Sequence, residues 1–200
     1  MQIHETNLSN MEEVRLIILN TNEIDIDELL KQSSLSFDDE SITNEVVLRE
    51  KKTSFYLKNK YIGEYQISSS GKPISNNTHF NISHSHGVVV LAINDNHPVG
   101  VDIELIRDME DNFKRYVCDD KEYELSKDNN EEFFKIWTNK ESLLKCLGTG
   151  IKMKMNSVSS LPLEGKRVFE NKEYYSHHTM YGKYIISITI SDAEFDIKNM

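Results

Sequence analysis

Apolar and polar residues follow one another along this chain in patterns that are typical of both helices and strands. The apolar run Val14–Leu19 predicts a buried first strand. Residues 24–30, which are rich in acids, predict a short helix, and residues 38–61 predict a longer one. Residues 111–127 predict one or two further helices. The chain therefore mixes the two kinds of element.

The middle and the last part of the chain favour strands. Residues 80–83, 87–93 and 99–106 predict three strands, and the polar residues 94–98 predict a turn. Their spacing predicts an antiparallel pair, which becomes a meander if the third strand joins it. After residue 150 a closing sheet is predicted, with strands at residues 168–169, 174–180 and 184–190. The last of these alternates regularly, with Ile186, Ile188 and Ile190 on one side and Ser187, Thr189 and Ser191 on the other.

A helix predicted over residues 133–148 organises the chain. Asparagines before it can cap its first turn, and Gly148 can end it in a left-handed conformation. Trp137, Glu141 and Lys145 are spaced i, i+4, i+8, so the acid and the amine share one side with the tryptophan. An ordinary i,i+4 ion pair on a core helix is the simplest interpretation of this spacing.

The order of elements predicts an α+β fold. We find no internal repeat and no low-complexity linker in the sequence. Two α+β halves that meet near residues 95–99 are consistent with the length of 200 residues. We therefore expect an N-terminal half over residues 1–97 and a C-terminal half over residues 98–200.

Composition and charge exclude several classes of protein. The net charge of −10 and the isoelectric point of about 5.2 argue against general nucleic-acid binding, which needs a basic surface. No apolar run approaches the roughly 20 residues of a membrane span, and residues 1–10 are too polar for a signal peptide. Cys118 and Cys146 lack metal or redox spacing, so we expect a reduced, cytoplasmic chain.

Two acids in one predicted strand are the first candidates for chemistry. Asp102 and Glu104 are two positions apart, so they share a face of the strand. Neighbouring carboxylates repel unless a cation or a proton lies between them, and Mg²⁺ prefers such oxygen ligands. Glu141 could supply a third carboxylate. The alternative is the solvent-facing side of an edge strand.

A second unusual segment contains His84 and His86 beside Ser83 and Ser85. A polar strand end is the simplest interpretation. The two histidines could also bind zinc, although no cysteine and no third ligand with suitable spacing lies nearby. The histidines and serines beside Gly87 could instead bind a phosphate group.

Four motifs follow one another in the order Gly71-Lys72-Pro73, Phe80-Asn81-Ile82-Ser83-His84-Ser85, Gly100-Val101-Asp102-Ile103-Glu104 and Trp137-Thr138-Asn139-Lys140-Glu141-Ser142-Leu143-Leu144-Lys145. Each is weak alone, but in this order and spacing they resemble the motifs of the Sfp-type 4′-phosphopantetheinyl transferases. The resemblance covers about residues 71–150. About a hundred residues precede the Asp motif, which favours the family's two-half, monomeric branch over its short, trimeric one. That branch implies two similar α+β halves related by a pseudo-twofold axis, each a small, mostly antiparallel sheet packed with helices.

The resemblance implies a reaction and its participants. The family moves the phosphopantetheine arm of coenzyme A onto a serine of an acyl, peptidyl or aryl carrier protein and releases adenosine 3′,5′-bisphosphate. The resemblance implies Mg²⁺ as the metal, with Mn²⁺ as the alternative. The partners it implies are therefore coenzyme A and an acyl or peptidyl carrier protein. Neither nucleic acid nor a membrane is expected.

The resemblance also implies roles for individual residues. Asp102, Glu104 and Glu141 would hold the metal, and Glu141 is also the candidate base for the carrier serine. Lys145 would contact a phosphate and stabilise or protonate the leaving group. The coenzyme would be bordered by two further pairs of residues, at its adenine end by Lys72 and Pro73 and near its 3′-phosphate by Ser83 and His84.

The chain departs from the family in its N-terminal half. The family carries an arginine-rich helix there, whereas residues 49–61 are rich in lysine, and Arg49, Lys51 or Lys52 would grip the 3′-phosphate. Residues 113–117 offer apolar docking candidates for the carrier in Phe113, Tyr116 and Val117, with core packing as the alternative. Two other functions remain open: a non-catalytic relative that binds coenzyme A or a carrier protein, and a zinc- or metal-binding structural module that uses His84 and His86.

Overall fold

The computed structural model describes residues 12–69, 71–148 and 154–199 and has an α+β fold, as predicted. The elements of the N-terminal part are β1 (Glu12–Asn20), α1 (Ile26–Gln32), α2 (Glu45–Tyr61), β2 (Gln66–Ile67), β3 (Pro73–Ile74), β4 (His79–Ser85) and β5 (Val88–Asn94). Those of the C-terminal part are β6 (Val99–Leu105), α3 (Asp111–Val117), α4 (Asp120–Ser126), α5 (Asn130–Leu147), a 3₁₀ turn (Met155–Ser157), β7 (Gly165–Phe169), β8 (Lys172–Tyr181), β9 (Tyr184–Ser191) and β10 (Phe195–Asn199).

Two four-stranded sheets lie face to face. The first has the order β10-β1-β5-β4 and the second the order β6-β9-β8-β7. Apolar side chains from both fill the space between them, among them Leu16 and Val90 of the first sheet and Val101 and Ile188 of the second. Helices α1 and α2 cover the other face of the first sheet, and α5 covers the other face of the second. The described helices include none that is long and apolar enough to cross a membrane.

Most predicted elements are confirmed, but the helix predicted from residue 38 is too long. Helix α2 begins only at Glu45, because the side chain of Asn44 caps it by accepting a hydrogen bond from the backbone N–H of Val47 at 3.2 Å. Residues 111–127 form two helices rather than one, because Asp119 starts α4 with a capping box that includes Glu122. The helix predicted over residues 133–148 is α5, and Gly148 ends it with a φ of 70°.

The strands predicted at residues 80–106 form a pair, not a meander. β4 and β5 are antiparallel neighbours, as predicted, but β6 pairs with β9 in the second sheet. The turn before β6 redirects the chain, because Asn94 Oδ1 accepts hydrogen bonds from the backbone N–H groups of Asn96 at 3.0 Å and His97 at 2.6 Å. The sequence analysis missed β10, which runs parallel to β1 and so returns the chain to the first sheet.

The same strand order occurs in both sheets. A first strand pairs with the second strand of a later hairpin, as β1-β5-β4 in one sheet and as β6-β9-β8 in the other. The division at residue 97 and the pseudo-twofold relation of the halves stay predictions. The strand β10 joins the first sheet although it belongs to the C-terminal stretch of sequence.

The hydroxyl face of β9 is buried under α5 rather than exposed. Thr138 Oγ1 of α5 lies 2.7 Å from Ser187 Oγ, and Ser142 Oγ lies 2.7 Å from Thr189 Oγ1. Ser176 Oγ of β8 is 2.8 Å from the same threonine. These hydrogen bonds satisfy hydroxyl groups that would otherwise be costly to bury. The alternation seen in the sequence therefore separates an apolar face between the sheets from a polar face under the helix.

Gly100 allows α5 to lie directly on β6. A Cβ atom at this position would be 2.0 Å from the carbonyl oxygen of Ser142 and 2.4 Å from the backbone nitrogen of Cys146. Both neighbours belong to the helix backbone, which cannot rotate away as a side chain can. The contact fixes the height of α5 above the strand that carries Asp102 and Glu104.

We predict that Gly100→Ala lowers the free energy of unfolding by about 3 kcal/mol or more, because the new methyl group forces α5 away from β6. Equilibrium unfolding in urea measures the change. Gly182→Ala is the matched control, since a Cβ there meets open space and only the positive φ of 58° is unfavourable. The control should lose only about 1 kcal/mol. Equal losses in the two variants would contradict the close-contact explanation.

Candidate functional site

The site lies where the two sheets and α5 meet. The strand β4 is the outer strand of the first sheet, and β6 is the outer strand of the second. The two strands contact each other without pairing, and α5 crosses β6 from the other side. Side chains from three rigid elements therefore converge here, which favours a fixed geometry.

Two serines of β4 bind the two carboxylates of β6. Ser83 Oγ donates a hydrogen bond to Asp102 Oδ1 at 2.8 Å, and Ser85 Oγ donates one to Glu104 Oε2 at 2.9 Å. The prediction that Asp102 and Glu104 share a face is confirmed by this pairing. The alternative of a solvent-facing edge is wrong for Asp102, which is only 5% exposed. The serines orient the carboxylates across the junction of the sheets.

Lys145 of α5 reaches the same carboxylate. Its Nζ atom lies 2.6 Å from Asp102 Oδ1 and donates a hydrogen bond to Ser83 Oγ at 2.8 Å. The simplest interpretation of the sequence spacing, an i,i+4 ion pair with Glu141, does not hold for the residues that the structure describes. The amine crosses to the strand instead, because Asp102 is a buried charge in need of a partner.

Glu141 lies close enough to Asp102 and Glu104 for their negative charges to change the pKa of its carboxyl group. Burial raises the pKa of its carboxyl group, and repulsion from Asp102 raises it further. Lys145 lowers the pKa and Glu104 raises it slightly, so the net direction is upward. Three carboxylates and one ammonium group therefore share one electrostatic environment. An excess of negative charge of this kind is relieved by a proton or a cation.

The donor set fits a hard divalent cation in its chemistry. Asp102 Oδ2 is buried and has no hydrogen-bond partner within the described ranges, so one strong oxygen acceptor is left over. As the side chains stand, no three acidic, histidine or cysteine groups of the described residues are arranged closely enough to form a metal site. Lys145 covers the opposite oxygen of the same carboxylate. A cation at Asp102 would therefore bind at Oδ2 or displace the lysine.

Lys72 and Pro73 line a cleft of about 290 Å³ at the C-terminal end of α5. Lys72 Nζ donates a hydrogen bond to the carbonyl oxygen of Lys145 at 2.6 Å and so ties the cleft to the helix. Burial lowers the pKa of this amine. Cys146 also lines the cleft, but burial raises the pKa of its thiol to about 12, so it is not a nucleophile at neutral pH.

Ser83 and His84 do not meet at one place. Ser83 faces β6, whereas the next residue points to the other face of β4, where His84 Nδ1 lies 2.9 Å from Glu50 Oε2 of α2. His86 is in the turn after β4 with a φ of 48°, and its Nδ1 is 2.9 Å from Ser85 Oγ. The predicted phosphate contacts of Ser83 and His84 therefore lie on opposite faces of β4, and both stay predictions.

The basic residues of α2 have local partners. The guanidinium group of Arg49 donates a hydrogen bond to the carbonyl oxygen of Thr21. Lys52 Nζ forms an ion pair of 2.5 Å with Asp27 of α1. Lys51 is exposed. The role of these cations toward a 3′-phosphate stays a prediction.

The apolar residues proposed for docking differ in exposure. Val117 is buried in the core under α5, as the alternative interpretation held. Phe113 is half-buried and packs on Trp137, with ring centroids 4.6 Å apart. Tyr116 is 59% exposed and is the one of the three that offers a large free surface.

Lys140 has a structural role that the sequence did not reveal. Its Nζ atom is fully buried, lies 2.5 Å from Glu122 Oε2 and donates to the carbonyl oxygens of Val117 at 2.7 Å and Met155 at 3.0 Å. Glu122 Oε1 accepts two further hydrogen bonds from Ser160. This buried ion pair holds α4 and the segment after α5 against the helix that carries Glu141 and Lys145.

Sequence reasoning also missed Glu50 and the role of the serines on β4. Ser83 and Ser85 are two positions apart, as are Asp102 and Glu104, so the sequence shows that each pair shares one face of its strand. This spacing does not show that β4 and β6 lie side by side, because the two strands belong to different sheets. Glu50 gave no signal, because an acid among the basic residues of a helix looks like part of a solvated face.

Comparison with known proteins adds to this geometry. A family model described as the 4′-phosphopantetheinyl transferase superfamily matches residues 98–189, which include Asp102, Glu104, Glu141 and Lys145. The 4′-phosphopantetheinyl transferase gsp of Aneurinibacillus migulanus is 40% identical over 99 residues, covering 46% of this chain and 41% of that protein. The 4′-phosphopantetheinyl transferase ffp of Bacillus subtilis is 33% identical over 147 residues, covering 70% of this chain and 64% of that protein.

A third relative, the 4′-phosphopantetheinyl transferase Sfp of Bacillus subtilis strain 168, is 30% identical over 127 residues, or 60% of this chain and 56% of that protein. In each of these three comparisons the chain spans less than two thirds of the relative's length.

We predict that Asp102→Asn lowers the pKa of Glu141, because it removes the negative charge that repels this carboxylate most strongly. A ¹³C NMR titration of the glutamate side-chain carboxyl groups measures the change. Glu104→Gln is the matched control and should lower the pKa less, since Glu104 is the weaker influence. An upward shift in Asp102→Asn would refute the shared environment of the three acids.

Proposed function

Since this chain belongs, through residues 98–189, to the 4′-phosphopantetheinyl transferase superfamily, we propose that it transfers the 4′-phosphopantetheine arm of coenzyme A to a serine of an apo carrier protein. The product released is adenosine 3′,5′-bisphosphate. The convergence of Asp102 and Lys145, with Nζ and Oδ1 2.6 Å apart beside Glu104 and Glu141, is the observation that carries the proposal.

Asp102, Glu104 and Glu141 would hold the divalent metal, Mg²⁺ or, as a substitute, Mn²⁺. When bound, such an ion neutralises charge that develops on the pyrophosphate. Two observations support this assignment: Asp102 Oδ2 has no hydrogen-bond partner among the residues that the structure describes, and the acids repel one another. Ser83 and Ser85 fix the orientation of the two strand carboxylates, so less rearrangement is needed when the ion binds.

The protein's own groups handle the proton and the leaving group. A bond forms between the carrier serine Oγ and the phosphorus that bears the pantetheine arm, and the bond from that phosphorus to the bridging pyrophosphate oxygen breaks. Glu141 accepts the serine proton, for which its raised pKa makes it a stronger base than an ordinary carboxylate. Lys145 donates to the leaving phosphate oxygen, which the flexible amine can reach by leaving Asp102.

Coenzyme A would lie between this site and the cleft at the end of α5. The cleft lined by Lys72 and Pro73 would border the adenine end. His84, which is 44% exposed, would meet a phosphate group. Ser83 acts through Asp102 and Lys145 rather than as a free phosphate ligand, since both partners already use its hydroxyl group.

The partner would be an acyl or peptidyl carrier protein. Phe113 and Tyr116 offer an apolar docking surface on α3, beside the helix that carries Glu141 and Lys145. A carrier serine docked there would approach the acids from α5. We further propose a cytoplasmic monomer that does not act on nucleic acid or in a membrane.

We predict that an apo carrier protein gains the mass of one phosphopantetheine group when it is incubated with this chain, coenzyme A and Mg²⁺. Intact-mass spectrometry of the carrier measures the gain, and EDTA should abolish it. Asp102→Ala should also abolish it while leaving the circular dichroism spectrum native, because the apolar face of β6 is untouched. Coenzyme A binding without transfer to fatty-acid or peptidyl carriers would favour a non-catalytic binding relative.

We predict that Lys145→Ala lowers kcat by about 10²-fold or more with a smaller effect on KM, because its ammonium group acts mainly on the leaving group. Steady-state kinetics with a carrier protein separate the two constants. Lys135→Ala is the control on the same helix, since the ammonium group of Lys135 forms ion pairs with Glu131 and Glu132 instead of with Asp102. A change in KM alone would exclude the proposed role.

A further inference from the structure

Glu50 is a buried carboxylate to which neither the family motifs nor the proposed chemistry gives a role. It lies on α2 with only 4% of its surface exposed. One oxygen, Oε1, accepts a hydrogen bond from the backbone N–H of Gly87 at 2.7 Å. The other, Oε2, lies 2.9 Å from Nδ1 of His84. Both oxygens therefore face donors in the β4–β5 hairpin.

The charge of Glu50 is retained despite its burial. Burial raises the pKa of the carboxyl group and is the largest single influence, but the hydrogen bonds from His84 and Gly87 lower it, as do the charges of His84 and His86. The net pKa lies below the ordinary value, so Glu50 is an anion at neutral pH. A buried anion of this kind is stable only while its donors stay in place.

The surroundings hold this pair in a fixed position. The backbone N–H of Thr21 donates to the carbonyl oxygen of Gly87 at 2.7 Å, which ties the hairpin to the end of β1. Arg49, next to Glu50 on the helix, donates to the carbonyl oxygen of Thr21. From the second sheet, Tyr184 Oη donates to the carbonyl oxygen of His86 at 3.0 Å. Residues in or next to β1, α2 and β9 therefore brace the turn that follows His84.

We propose that Glu50 is a positioning residue that keeps the proton of His84 on Nδ1 and so directs Nε2 toward a phosphate group of coenzyme A. The ligand in this inference rests on the proposed function, whereas the pairing of Glu50 with His84 does not. Nε2 forms no hydrogen bond with any residue in the described part of the chain, and the imidazole is 44% exposed.

The chemistry of imidazole explains why the carboxylate matters. A carboxylate can only accept, so the nitrogen that faces it must carry a proton. When a phosphate oxygen binds at Nε2, the ring carries a proton on both nitrogens and lies as a cation between two anions. Hydrogen bonds between such charged groups are stronger than neutral ones. Glu50 thus makes His84 a receptor for an anion, without touching the ligand itself.

The substitution Glu50→Gln separates this role from packing. The amide has nearly the same shape, but it has a single acceptor oxygen. The backbone N–H of Gly87 takes that oxygen, because a backbone donor has no alternative orientation. The amide NH₂ group then faces His84 Nδ1, which must become an acceptor, so the proton moves to Nε2. The variant therefore reverses the tautomer of His84 and removes the negative charge while it keeps the volume of the side chain.

The tautomer is measured on the free protein by long-range ¹H–¹⁵N NMR of the histidine rings under alkaline conditions, where the imidazole is neutral. We expect the proton on Nδ1 of His84 in the wild type and on Nε2 in Glu50→Gln. Glu45→Gln, an exposed glutamate in the first turn of the same helix, is the matched control and should leave the tautomer unchanged. An Nε2-protonated ring in the wild type, or an identical tautomer in wild type and Glu50→Gln, overturns the pairing.

Binding is measured by calorimetric titration with coenzyme A and with 3′-dephospho-coenzyme A. We expect Glu50→Gln to weaken coenzyme A binding by about tenfold, because the donor to the charged phosphate changes from an imidazolium to a neutral imidazole. If the loss is absent with 3′-dephospho-coenzyme A, the 3′-phosphate is the group bound. If it persists, the pyrophosphate is the group bound. An unchanged affinity for both ligands overturns the inference.

A double-mutant cycle distinguishes positioning from a general structural effect. His84→Asn keeps a donor near the Nδ1 position for Glu50 but removes Nε2. In that background Glu50→Gln should have no further effect on coenzyme A affinity. An equal tenfold loss with and without the histidine means that Glu50 acts through the fold and overturns the inference. If the wild type does not bind coenzyme A, the proposed function and the ligand assignment both fail, whereas the NMR result still decides the pairing.

Discussion

The contact between Gly100 and the backbone of α5 is the constraint on which the site depends. The helix lies so close to β6 that a single methyl group at this position would overlap Ser142 and Cys146. At this distance Lys145 bridges from the helix to Asp102. Gly100, the first residue of the motif that contains the two acids, is therefore needed for the close spacing of α5 and β6. The contact between Asp102 and Lys145 depends on this spacing.

Buried polar pairs maintain that spacing. Hydroxyl groups of α5 and β9 are matched one to one, and the fully buried Lys140 binds Glu122 below the helix. Removal of one partner of the Lys140–Glu122 ion pair costs about 3–5 kcal/mol, because the other charge is left buried alone. The pairs thus penalise any rotation of α5 that would carry Glu141 away from β6. Lys140 and Glu141 are adjacent in one motif, yet Lys140 stabilises the fold, whereas Glu141 is the residue proposed for the chemistry.

The sequence predicted what local patterns determine. The α+β class, the helix α5 with its Gly148 terminus and the shared face of Asp102 and Glu104 followed from periodicity and capping rules. The partnership of strands did not follow, because pairing between distant segments depends on how the chain is redirected at turns such as that at Asn94. For the same reason the opposite directions of Ser83 and His84 were predictable from strand geometry, but what they would meet was not. The family motif contains both residues, although their side chains lie on opposite faces of β4.

The last described strand gives this fold an unusual assembly order. β10 pairs with β1, so Phe195 lies beside Glu12 although more than nine tenths of the sequence separates them. During synthesis the first sheet can form its β1-β5-β4 portion early, but its outer edge next to β1 stays open until β10 emerges from the ribosome. Exposed strand edges are the points at which nascent chains associate wrongly. A chaperone that binds extended segments would find its target there, on the far side of the sheet from β4.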